Sequence, residues 1–61
     1  MSRANRKRSA AVRGLRRISQ EMLTLAPTLE SLSKFHADEL RGAARIMLDW
    51  SEEIESEIEE I

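Results

Sequence analysis

The segment NRKRSAAVRGLRR, residues 5–17, holds the densest chemistry in the chain. Seven of the ten basic residues, Arg3, Arg6, Lys7, Arg8, Arg13, Arg16 and Arg17, precede residue 18, with no acid among them. Six of the seven are arginine, whose planar fork of donors matches a pair of phosphate or carboxylate oxygens. On a helix turning by about 100° per residue, Arg6, Arg13, Arg16 and Arg17 fall opposite Ala11, Leu15 and Ile18. Asn5, Ser9 and Gln20 share the polar side, and Lys7 and Arg8 flank the apolar one. Such a row can lie along the phosphates of RNA or DNA, with Asn5 and Gln20 as base readers, and its affinity then falls steeply with salt. The chain also carries its own polyanion. Asp49, Glu52, Glu53, Glu55, Glu57, Glu59 and Glu60 crowd residues 49–61 without a base. If the chain folds back on itself, Arg3, Lys7 and Arg8 are the residues within reach of that tail. A basic amphipathic helix also suits a membrane surface. Against a membrane stands Trp50, the interface-seeking residue, which lies in the acidic half.

Other chemistries lack their parts. There is no cysteine and a single histidine, His36, so neither a thiolate site nor a histidine cluster for a metal exists. No nucleophile–base arrangement, phosphate-cradling glycine loop or cofactor fingerprint appears, and the expectation is a non-enzymatic protein without cofactor or metal. No aromatic residue interleaves with the arginines, so base stacking has no support. The basic start lacks an apolar leader and no apolar run approaches a membrane span, which points to a cytoplasmic protein.

The elements that position these residues are helical. Ala, Leu, Arg and Glu dominate, and net charge is only -1. Ala11, Leu15, Ile18, Met22 and Leu25 recur at spacings of three and four, the stripe of an amphipathic helix. Leu29, Leu32, His36, Leu40, Ala43, Met47, Trp50, Ile54, Ile58 and Ile61 continue at the same spacings. The only proline, Pro27, is tolerated in the first turn of a helix and costs about 3 kcal/mol inside one. The expected architecture is therefore all-α and a single domain over 1–61. A helix over about 4–25 turns near 26–27 into a second over about 28–59, as an antiparallel hairpin. One long helix kinked at Pro27 is the competing arrangement.

These lengths imply a partner. At about 1.5 Å per residue the first helix spans roughly 30 Å and the second nearly 50 Å. Ile54, Ile58 and Ile61 would then overhang the first helix on the core-facing side, Phe35 and Ile46 would widen the apolar stripe, and Trp50 would pack against the N-terminal turns of the first helix or sit at a dimer seam. A second copy is the simplest cover, giving a dimeric four-helix bundle. His36 is expected as a satisfied core or interface histidine, and Gly42, Ala43 and Ala44 as a place of close helix approach. The segment ESLSKFHADEL, Glu30 to Leu40, resembles part of the second helix of the Rop family of plasmid copy-number repressors, dimers of helical hairpins that bind RNA loops. The likeness covers about a sixth of the chain and brings no site residue with it. The function expected is a homodimeric regulator that binds nucleic acid through Arg6, Arg13, Arg16 and Arg17. The alternative is a protein-interaction module or inhibitor, of the phage or plasmid type, that engages a protein target through its helical surfaces.

Overall fold

The computed structural model describes residues 2–58 as two helices, α1 (Arg3–Glu30) and α2 (Lys34–Ser56), packed side by side with no strand among the described residues. Ser2 caps α1, its Oγ accepting from the Asn5 N–H at 3.1 Å. Ser33 caps α2 and accepts from the His36 N–H at 3.3 Å, satisfying one of the donors a helix start leaves open. The carbonyl of Leu29 accepts from the N–H groups of both Leu32 and Ser33, which closes α1 and reverses the chain.

The turn is therefore not at Pro27. The expected break at 26–27 moves to residues 31–33, and Pro27 lies inside α1. Packing accounts for the shift. Carrying the helix past Pro27 keeps Ala26, fully buried, and Leu29, half-buried, in phase with the helix contact. The cap of the second helix accordingly comes from Ser33.

The contact itself is a seam of small residues. In α1 the buried positions are Asn5, Val12, Ser19 and Ala26; in α2 they are Ala37, Ala44 and Ser51. Each set repeats every seven residues, the period of paired helices. The largest side chains buried completely are Ser19 and Ser51, so the backbones approach closely. Ser19 Oγ donates to the Ala44 carbonyl at 2.9 Å across the seam, and Ser51 Oγ to its own helix at Leu48 O, 2.6 Å. The Ser19–Ala44 bond sets an antiparallel register. Seven-residue steps from it bring Ala26 level with Ala37, and Val12 level with Ser51.

This seam corrects two expectations. The stripe of Ala11, Leu15, Ile18, Met22 and Leu25 is not the most deeply buried line: Leu15 and Met22 are half-buried beside the seam, and the others are exposed. Ile18 and Leu25 remain 42% and 50% exposed, because large side chains cannot enter where the backbones nearly touch. The overhang is also absent. α1, with 28 residues, is longer than α2, with 23. Ile54 and Ile58 are half-buried beside the N-terminal turns of α1, and Ile61 lies outside the described residues. Of Gly42, Ala43 and Ala44, only Ala44 enters the seam; no atom lies within 4 Å of a side chain built at Gly42.

Candidate nucleic-acid interface

The hairpin is an elongated body of 48 × 14 × 11 Å whose two broad faces differ. Helical phase, counted from the seam, assigns residues to them. On α1, Leu15, Met22 and Leu29 follow a seam residue by three, and Ala11, Ile18 and Leu25 precede one by one. On α2, Leu40, Met47 and Ile54 follow by three, and His36, Ala43 and Trp50 precede by one. In an antiparallel pair equal angles from the seam lead to the same side, so both sets line one face. Its larger side chains are half-buried or exposed, Trp50 at 49%. Ile46 extends it around the outer side of α2, and Phe35 stands on the outer shoulder of α2 at the step Arg17 takes on α1; both are exposed. His36 is exposed here, not in a core. Its Nδ1 is 2.8 Å from Ser33 Oγ and its ring meets Phe35 edge-on at 5.4 Å.

The opposite face is polar. Arg6, Arg13 and Gln20 each follow a seam residue of α1 by one position, with Arg17 beside them on the outer shoulder. Asp38, Arg45 and Glu52 follow the seam residues of α2 in the same way. Between these rows lie two ion pairs that bridge the helices. Arg16 Nη2 donates to Glu55 Oε1 at 2.8 Å, and Arg41 Nη2 to Glu30 Oε2 at 2.7 Å. Arg41 Nη1 also donates to Asp38 Oδ1 at 3.2 Å. The hydrogen bond from Arg41, then its charge, holds the Glu30 carboxyl below its ordinary range, and the Arg41 guanidinium is raised in turn by donating that bond to Glu30. The two bridges have opposite sense, with arginine on α1 at one and on α2 at the other. Leu23 and Leu48 fall at the intermediate step of the same register.

The basic segment thus divides by residue. Arg16, expected on the free row, is engaged by Glu55. Arg8 donates to Asn5 Oδ1 at 3.2 Å, and its Nε lies 4.0 Å from Glu57, in line with the expected reach of the acidic tail. Arg3 and Lys7 make no ion pair among the described residues, and neither do Arg6, Arg13, Arg17 or Arg45. All six are exposed. The structure therefore brings Arg6, Arg13 and Arg17 together as an open row along about 16 Å of α1. Asn5, expected as a base reader, is buried in the seam; Gln20 is exposed on the polar face. Sequence reasoning missed Arg45. Its place becomes legible only once Ala44 is known to be a seam residue.

Among the described residues no group of three His, Cys, Asp or Glu is placed to hold a metal ion, and no helix is long and apolar enough to cross a membrane. No protein-family model, curated protein or solved structure matches the chain.

Proposed function

We propose that this chain is a small non-enzymatic regulatory protein that acts as a homodimer, forming a four-helix bundle, and binds nucleic acid through Arg6, Arg13 and Arg17. The observation that carries this reading is the segregation of the two faces. Most of the large apolar side chains collect on one, and guanidinium groups that make no ion pair among the described residues stand on the other. A second hairpin laid on the apolar face leaves the arginine row open to solvent, so dimerisation and phosphate binding do not compete. A broad face of the hairpin measures at most about 48 × 14 Å, or roughly 670 Å². Stable interfaces bury about 800 Å² of accessible surface per partner, so a dimer would engage nearly the whole of that face. At a net charge of -1 per chain, self-association meets little electrostatic repulsion.

Replacing Arg6, Arg13 and Arg17 together with alanine is expected to abolish salt-sensitive binding to polynucleotides while leaving the mass in solution unchanged. Unaltered binding in the triple variant would remove the nucleic-acid part of the reading. The second reading is a protein-interaction module or inhibitor. It is favoured by the exposure of Trp50, Phe35 and Ile46, since aromatic residues commonly anchor protein interfaces. It predicts a chain that is monomeric in isolation and loses a protein partner when Trp50 or Ile46 is replaced by a charged residue.

A further inference from the structure

We infer that Arg45 of α2 belongs to the same phosphate-binding surface as Arg13 and Arg17 of α1, and that this two-helix surface takes a double-stranded nucleic acid rather than a single strand. The inference deepens the nucleic-acid reading and rests on it. Its foundation is the Ser19–Ala44 hydrogen bond, 2.9 Å across the seam. Gln20 and Arg45 are the next residues on helices that run in opposite directions, so both turn by the same angle onto the polar face and step about 3 Å apart along it. Arg45 is thereby nearly level with Arg17 and about one and a half turns from Arg13. Arg41 and Arg16 stand between the rows but are held by Glu30, Asp38 and Glu55. Arg45 is exposed and has no ion pair among the described residues. Glu52, one seven-residue step along α2, bounds the surface towards the open end, and Asp38 bounds it towards the turn.

Two observations select the duplex. The arginines without an ion pair among the described residues stand on both helices, Arg6, Arg13 and Arg17 on α1 and Arg45 on α2, set apart by the spacing of packed helices, about 8–10 Å between axes. Arg45 splaying outward from α2 opposite the row of α1 fits phosphates on both sides of a groove, about 12 Å wide for the major groove of B-form DNA, whereas one strand tracks one row. The polar face also offers no aromatic platform. Trp50 belongs to the apolar side, and Phe35, on the outer shoulder of α2, lies ten residues or about 15 Å from Arg45, so no aromatic side chain interleaves with the arginines, and sequence-tolerant single-strand binding depends on such stacking.

The test measures binding of duplex RNA, duplex DNA and a single strand of equal length across a range of salt concentrations, for the wild-type chain, R13A, R45A and R45K. With at least one duplex, R45A is expected to lower the slope of log affinity against log salt by about one, as R13A does. R45K should retain the slope, because the slope counts charges. The single strand should bind more weakly and ignore R45A. A duplex slope that R13A lowers and R45A leaves unchanged overturns the inference alone. Tighter binding of the single strand overturns it too. Absence of salt-dependent binding by the wild-type chain to all three ligands overturns the nucleic-acid reading beneath it.

Discussion

Ser19 shows how much one small residue decides. Its hydroxyl is buried, its hydrogen bond to the Ala44 carbonyl crosses the seam, and it sets the level at which every other pair meets. Replacing it with alanine removes that bond but keeps the fit, at an expected cost of about 1 kcal/mol. Replacing it with leucine forces a large side chain between backbones in near contact, and the expected loss is about 1–3 kcal/mol, with the helices pushed apart. Chemical denaturation of the two variants checks the ranking; a leucine variant as stable as the alanine one would show that the seam is looser than described. The same scale explains the divided fate of the arginines. Arg16 lies about 40° from the seam and meets Glu55, while Arg13 and Arg17, further around, make no ion pair among the described residues.

At the scale of the helices, much was legible in the sequence and some was not. Two amphipathic helices in an antiparallel hairpin follow from the three-and-four spacing of Leu, Ile and Met. The position of the turn does not, because Pro27 is the loudest local signal and Ser33 a quiet one. Local propensity at Pro27 opposes the helix, and the burial of Ala26 with the in-phase packing of Leu29 outweighs it. Which stripe forms the seam was equally hidden. Hydrophobic periodicity points to the large side chains, but the helices meet on the small ones, one position further round, where Val12, Ser19 and Ala26 allow close approach. From there the arginine row survives with Arg16 removed and Arg45 revealed. Pro27→Ala should restore the missing N–H bond to the preceding turn. It should raise stability by about 1–3 kcal/mol, net of the freedom it returns to the unfolded chain. Thermal unfolding measures this, and a lower melting temperature would mean that the ring itself supports the last turn.

At the scale of the molecule, the hairpin alone is a poor fold. Its completely buried side chains are no larger than serine, and its Leu, Ile, Met and Trp side chains keep much of their surface in water. A chain of this size has little stability to spare. Coupling to a second copy predicts that helix content and mass fall together on dilution, while emission from Trp50, the only tryptophan, moves to longer wavelength. Sedimentation and circular dichroism across a thousandfold range of concentration check this. A single-chain mass with full helicity throughout would show that the hairpin stands alone.

The seam of small residues then has a consequence for the life of the protein in a cell. If a second copy completes the fold, as proposed, survival is tied to abundance: newly made chains at low number would stay open to proteases, and chains above the association threshold would protect one another. Synthesis rate would set the level non-linearly, with a sharp lower cut-off and no separate degradation signal.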